Sequence, residues 1–171
     1  RLRANQLPQV KSKIYDLDFD ILKWYTQVVS NQATEIQLQA LANQKNIAGL
    51  LALSKFYLMQ GDYTQAQSNL DLVKVKLKSH ILVPLIQTDI YLGQNKFDQA
   101  YDSISSLQKT MPENRALSYK LAEVLIRQGK IDQVQSLVQR FIRKNQRDIQ
   151  GWQLLQQATN LDKSSPLQAV N

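Results

Sequence analysis

The sequence has no cysteine and only one histidine among its 171 residues. The absence of cysteine excludes disulfide bonds, thiolate catalysis and cysteine-ligated zinc, although it leaves the cellular compartment open. A zinc peptidase site needs two histidines one helical turn apart and a glutamate base, so His80 alone cannot build one. We expect no catalysis within this chain, and we interpret His80 as an exposed loop residue.

Glycine, proline and long apolar runs are also scarce. Five glycines and four prolines argue against a sandwich of short strands and favour long helices. No apolar run approaches the roughly 18 residues that span a bilayer, and no signal peptide is visible. Because the chain begins at Arg1 and its pattern breaks off near the other end, we expect a fragment of a longer protein.

The charge is unbalanced towards basic residues, with a net charge of +7. Nucleic acid, acidic lipid and acidic protein surfaces are all compatible with this excess. No aromatic residues are interleaved with the basic clusters in the manner of single-strand binders, so nucleic acid is not an expected partner.

The strongest positive signal is a repeat with a period of 34 residues. A fixed period of this length predicts stacked helical hairpins, and hence an all-α superhelical solenoid of antiparallel helix pairs. Four columns of similar residues recur at this spacing: Tyr63, Phe97 and Ile131; Ala66, Ala100 and Val134; Leu70, Ile104 and Val138; and Tyr57, Tyr91 and Leu125.

The period divides the chain into segments. Residues 47–171 form the array, with repeats at 47–80, 81–114 and 115–148 and a truncated fourth repeat at 149–171. Residues 1–46 hold a linker and an off-register helical pair, predicted at 14–29 and at about 32–43 with Asn31 as the cap of its second helix. We expect this pair to cover the open face of the first repeat.

Residues that favour turns and helix ends lie between the two predicted helices of each repeat. Gly61, Asn95 and Gly129 can adopt the left-handed conformation of a tight turn. Asp62, Asp98 and Asp132 lie at the start of each second helix, where they suit the helix dipole. Pro112 is placed to end the second helix of the second repeat.

The residues of these repeats resemble the tetratricopeptide repeat (TPR) over about Ile47 to Leu161. In the first repeat, Leu50, Leu53, Tyr57, Gly61, Tyr63, Ala66 and Leu70 occupy its signature positions, and Trp152 falls on the signature tryptophan of the fourth. Pro84 and Ser118 replace that tryptophan in the second and third repeats, Gln87 replaces an apolar residue, and Asn95 replaces the turn glycine.

The TPR resemblance implies that first-helix residues line a concave groove for an extended or helical peptide. The polar or aromatic candidates are Lys55, Asp89, Tyr119, Lys120, Glu123, Arg127 and Gln153. Alternatively the apolar part of the groove is packed by another domain or by the N-terminal pair, whose Trp24 and Tyr25 could fill it. The carboxylate clamp of some TPR proteins is not expected, since Lys55, Asp89 and Glu123 stand at the matching asparagine positions.

A basic stripe is predicted on one helix face at Arg140, Arg143, Lys144 and Arg147, which are spaced i, i+3, i+4 and i+7. It could meet phosphate, acidic lipid headgroups or an acidic protein. Alternatively these cations only complement the dipole at the end of their helix.

A narrower resemblance concerns the opening residues 1–6 and the stretches 48–53, 114–125 and 151–155. These are similar to the C-terminal TPR domain of the BepA type of periplasmic HExxH zinc metallopeptidase. The resemblance implies a parent protein with zinc in its catalytic domain and a non-catalytic, cofactor-free module here. It also implies periplasmic localisation and docking on the outer-membrane β-barrel assembly machinery, its clients or the parent's own protease domain, where His80 could contribute to the peptidase site.

Two other functions remain open. The chain could be a stand-alone TPR adaptor of a secretion, pilus or signalling complex, with a defined peptide ligand and no catalytic domain in the parent. It could also be the regulatory TPR domain of a transcription factor, if a helix-turn-helix segment is attached.

Overall fold

The computed structural model describes the backbone of residues 7–77 and 80–163. This part of the chain contains nine α-helices and no strand, which confirms the predicted all-α, TPR-like solenoid of helix pairs. The helices are α1 (Leu7–Val29), α2 (Glu35–Asn43), α3 (Ile47–Gln60), α4 (Tyr63–Lys74), α5 (Leu82–Gly93), α6 (Phe97–Thr110), α7 (Arg115–Arg127), α8 (Ile131–Lys144) and α9 (Ile149–Lys163). The opening residues 1–6 lie outside the described ranges, as does the end of the predicted fourth repeat.

The predicted period appears directly in the helix starts. The second helices of the three hairpins begin at Tyr63, Phe97 and Ile131, the positions of the first repeating column. The small-residue column of Ala66, Ala100 and Val134 is fully buried, as is the column of Leu70, Ile104 and Val138. Small side chains at the crossing let the two helices approach, and the larger ones fill the interface.

Within the described ranges, five residues adopt a left-handed backbone, and each lies in a turn between two helices: Asn31, Lys45, Gly61, Asn95 and Gly129. Three of them are the predicted turn residues. Asp62 caps α4 by accepting a hydrogen bond from the Gln65 amide, and Asp98 lies in the first turn of α6. The helix α6 ends at Thr110, just before Pro112, as predicted.

The N-terminal pair differs in detail from its prediction. The first helix begins at Leu7 rather than near residue 14. The second begins at Glu35 and is capped by Thr34 in a capping box with Gln37, so the prediction of Asn31 as the cap is wrong. Asn31 instead supplies the left-handed turn that ends the first helix, with φ of 58°.

Contacts between Cα atoms divide the chain into two compact units, residues 1–86 and 87–171. In the first unit α3 contacts α1, α2 and α4. In the second unit α7 contacts α6, α8 and α9, and α8 contacts α9. The observed division lies between residues 86 and 87. The domain boundary that the sequence predicts between residues 46 and 47 is a different one, and it stays a prediction.

The single histidine lies in the loop between α4 and α5, as predicted, but it is largely buried rather than exposed. The His80 side chain is about one-fifth exposed, and its Nδ1 accepts a hydrogen bond from the Leu82 amide at the start of α5. Its Nε2 lies 3.8 Å from a carboxylate oxygen of Asp18. His80 therefore serves helix initiation, because it satisfies one of the amides that the first turn leaves without a backbone partner.

Candidate functional site

In the first unit, the N-terminal helix packs against α3. The helix α1 contacts α3, and Trp24 packs against a buried cluster that includes Val28, Leu38 and Leu53. The ammonium group of Lys55 lies 5.9 Å from the centre of the Tyr25 ring. Of the two residues expected to fill the groove, Tyr25 therefore lies beside the candidate Lys55, whereas Trp24 packs on residues outside the predicted groove, and the filled groove stays a prediction.

In the second unit, three of the predicted groove residues form one ion cluster. Lys120 on α7 lies 2.7 Å from a carboxylate oxygen of Asp89 on α5, and it also pairs with Glu123 one turn along α7. Burial disfavours the charge of Lys120, but the two carboxylates outweigh it and raise the pKa of Lys120 above its ordinary value. The Lys120 ammonium therefore stays charged and lies between two carboxylates.

Arg127, at the end of α7, lies beside this cluster along the helix and has a different environment. Its guanidinium stands 5.6 Å from the centre of the Phe97 ring, and the residue is exposed. Gln128 donates hydrogen bonds to the Phe97 carbonyl and to the Asp98 carboxylate, which ties the end of α7 to the start of α6. The aromatic ring orients the guanidinium plane while leaving its N–H groups available to a ligand.

Arg127 opens onto a surface depression of about 660 Å³, which we call the α7–α9 depression. Its lining combines amides, one cation and apolar groups: Asn95, Phe97, Ile126, Arg127, Gln157, Asn160 and Leu161. Side-chain amides both donate and accept hydrogen bonds, as a peptide backbone requires. Such a lining can therefore hold an extended segment and pair one of its carboxylates with Arg127.

The sequence predicted only part of this lining. Gln153 is exposed on α9, one turn before Gln157, but it does not line the depression. Gln157 and Asn160 were not among the predicted groove residues. Their spacing of four and seven residues from Gln153 places all three on one helix face, and that pattern could have identified them.

Tyr119 lies elsewhere, as a buried anchor of the last three helices. It is 1% exposed, and its hydroxyl donates a 2.8 Å hydrogen bond to the carboxylate of Asp148. Its ring packs edge-on against the Phe141 ring of α8, and the two ring centres are 5.4 Å apart. Burial and the bond to Asp148 raise the pKa of Tyr119 to about 12. The prediction that Tyr119 lines the groove is therefore wrong, because its side chain is buried.

Asp148 is the centre of that anchor. It is 4% exposed and accepts hydrogen bonds from Tyr119, from the Gly151 amide in the first turn of α9 and from Arg115 of α7. Burial raises the pKa of this carboxyl, but the Tyr119 and Gly151 hydrogen bonds and the Arg115 charge outweigh burial and hold it below its usual value. The anchor fixes α9 against α7 and so positions one wall of the α7–α9 depression.

The predicted basic stripe is divided between internal and exposed cations. Arg140 donates hydrogen bonds to the Pro112 carbonyl and to the hydroxyl of buried Ser118. Ser118 stands where the repeat signature has tryptophan, and the Arg140 side chain occupies the room that the small residue leaves.

Arg143 and Lys144 lie at the end of α8, whereas Arg147 lies in the turn between α8 and α9, so the prediction of one helix face is wrong for Arg147. Lys144 pairs with Glu113, and this contact holds the pKa of Glu113 below its ordinary value. Arg143 and Arg147 are exposed, and neither forms an ion pair with the residues that the structure describes. The stripe therefore offers two cations rather than four to a ligand.

Two further classes of site are absent from the described ranges. No group of three or more histidine, cysteine, aspartate or glutamate side chains there is arranged to hold a metal ion. None of the helices in those ranges has both the length and the apolar character to cross a membrane.

Comparison with known proteins adds one family. Residues 91–158 match the tetratricopeptide repeat family, which supports a TPR domain in this part of the chain. TPR domains are generally non-catalytic and indicate protein partners. The match contains Arg127 and most of the α7–α9 depression. No curated protein matches the chain.

Proposed function

We propose that this chain is a protein-interaction module that binds a peptide segment of its partner in the α7–α9 depression. The family match over residues 91–158 carries the proposal, because it covers α7 and most of α9. The lining supports it independently, since amides, an oriented guanidinium and apolar groups meet there. The peptide lies extended, with its backbone on Gln157 and Asn160 and a carboxylate on Arg127.

The residues beside the depression predict which charges the bound peptide carries. The cluster of Asp89, Lys120 and Glu123 contains two carboxylates and one ammonium group, and Arg127 follows Glu123 one turn later on the same helix. A peptide with a basic residue near the cluster and an acidic residue near Arg127 complements both. This order of charges fixes the direction in which the peptide binds.

The test is a selection of peptides from a displayed random library on the intact chain, followed by affinity measurements. Arg127→Glu is expected to weaken the selected peptides by at least about tenfold, because it replaces an attraction with a repulsion. Arg143→Glu makes the same charge change at an exposed position of α8 and serves as the control. Equal affinity of both variants, or a library that yields no binder, would contradict the proposal.

For the parent protein we propose a periplasmic zinc metallopeptidase of the BepA type, on the sequence resemblance alone. In that parent, zinc is bound by a separate catalytic domain, and the present module docks on the outer-membrane β-barrel assembly machinery or its clients. An HExxH motif encoded upstream of Arg1 is expected. Deletion of this module should then impair the processing of the client proteins while cleavage of a small test peptide persists. A parent without HExxH would instead support a stand-alone adaptor.

A further inference from the structure

The first unit carries a second pocket, which lies between α2, α3 and the end of α4. Its volume is about 320 Å³, near the lower end of the range for ligand pockets. Its lining residues are Ala42, Lys45, Leu50, Leu72, Val75 and Lys76, and we call it the lysine-flanked pocket. None of these residues belongs to the α7–α9 depression.

The lining is apolar at the centre and cationic at the rim. Leu72 and Val75 are 58% and 73% exposed, although both are large apolar residues. Among the described residues, no carboxylate lines the pocket, and neither Lys45 nor Lys76 forms an ion pair. Exposed apolar side chains beside unpaired cations indicate a surface that is completed by a partner.

Lys45 adds an independent observation, because its backbone conformation is unfavourable for lysine. Its φ is 55°, in the left-handed region that side chains with a Cβ atom avoid. The other four left-handed positions of the described chain hold glycine or asparagine, the residues that tolerate this region. Lysine at the fifth position costs stability, and strain of this kind is typical of functional sites.

We propose that the lysine-flanked pocket binds an acidic peptide segment of a partner protein. One large apolar side chain of the segment contacts Leu50, Leu72 and Val75, and its carboxylates pair with Lys45 and Lys76. Charge complementarity selects this occupant, since the described rim residues are cationic and none of them is acidic. A second copy of this chain would bring a further net charge of +7 to the same place. The inference goes beyond the proposed function, because it assigns a second contact in the other unit.

The test uses the intact chain and a set of fluorescein-labelled peptides, each with Leu, Phe, Trp or Met at the centre of a run of glutamates. Fluorescence anisotropy at low salt should detect binding of at least one. A serine at the centre should weaken it by about tenfold or more, given the free energy of burying a large apolar side chain. Lys76→Glu should weaken it by a similar factor, and added salt should weaken it further.

Lys45→Gly separates binding from folding. The variant should melt about 2–4 °C higher, because glycine accepts the left-handed conformation without strain. It should also bind the peptide several-fold more weakly, because one cation of the rim is lost. A more stable variant with unchanged affinity would overturn the role of Lys45 and with it the proposal.

Two further measurements locate the contact. Arg127→Glu should leave the affinity for the glutamate peptides unchanged; if it weakens them, they occupy the α7–α9 depression, and the second site is wrong while the proposed function stands. Vesicles of phosphatidylglycerol provide the other comparison. Lys76-dependent binding to vesicles with no binding of any peptide would assign the pocket to an acidic lipid surface and overturn the proposal.

Discussion

Asp148→Ala is expected to destabilise the second unit by about 2–4 kcal/mol, because it removes a buried hydrogen-bond acceptor and leaves donors without a partner. The carboxylate accepts hydrogen bonds from Tyr119, Arg115 and the Gly151 amide. Its loss leaves the buried Tyr119 hydroxyl without its acceptor and removes the N-terminal cap of α9. Chemical denaturation followed by circular dichroism measures the change.

The control for this variant is Asp132→Ala, which removes an exposed carboxylate from the first turn of α8. Its expected cost is no more than about 1 kcal/mol, because it loses only a surface interaction with the helix dipole. Equal costs for the two variants would show that the anchor is unimportant.

The same anchor predicts a pH dependence. The folded pKa of Asp148 lies below its ordinary value, so its stabilisation is complete above the unfolded pKa of about 3.9 and is lost as the pH falls through the folded pKa. The stability difference between the wild-type chain and Asp148→Ala should therefore be largest near neutral pH and shrink in acid. A difference that grows on acidification would contradict this origin.

Gly49→Ala is expected to destabilise the first unit by about 1–3 kcal/mol through overpacking. A Cβ atom at Gly49 would lie 2.5 Å from the Cβ of Leu41 and 3.3 Å from the backbone nitrogen of Ala42. These atoms belong to the α2 backbone or are fixed to it, so α2 must move away from α3. Intrinsic helix propensity alone predicts the opposite sign, a gain of about 1 kcal/mol for alanine over glycine.

Thermal melting and denaturant titration show whether Gly49→Ala lowers or raises the stability of the chain. The control is Ala40→Gly at an exposed position of α2, which exchanges the same two residue types where no neighbouring helix is in the way. It should lower stability by about 1 kcal/mol, the cost of glycine in a helix, and so measures the propensity contribution by itself. Because the lysine-flanked pocket includes Ala42, Gly49→Ala should also weaken the glutamate peptides. A Gly49→Ala chain as stable as the wild type would mean that α2 and α3 approach less closely than these distances require.

The repeat period predicted the helices well because packing and turns repeat together. The second helices begin where the aromatic or apolar column recurs, and Gly61, Asn95 and Gly129 take the left-handed conformation expected of them. These features depend on local backbone chemistry and on which face of each helix is buried. Both can be predicted from a single sequence when the same pattern occurs three times.

Where the structure differs from the sequence prediction, the cause is a contact that the repeat period does not predict. Tyr119 occupies a groove position in sequence, but the bare backbone at Gly151 lets its hydroxyl reach Asp148, and it is buried. Arg140 belongs to a basic stripe in sequence, but the small Ser118 leaves room for it inside. Each case depends on a contact between residues at least 22 positions apart, and helical periodicity within one element carries no information about such contacts.

The most direct measurement of the central claim, that α7 and α9 hold the partner's peptide, is site-specific photo-crosslinking. Benzoylphenylalanine is placed at Gln157, on the α9 wall of the depression, or at Gln135, an exposed position of α8. The library-selected peptide is then irradiated with each variant. We expect a crosslink from Gln157 and none from Gln135. Crosslinks from Gln135 alone, or equal yields from both positions, would contradict the claim.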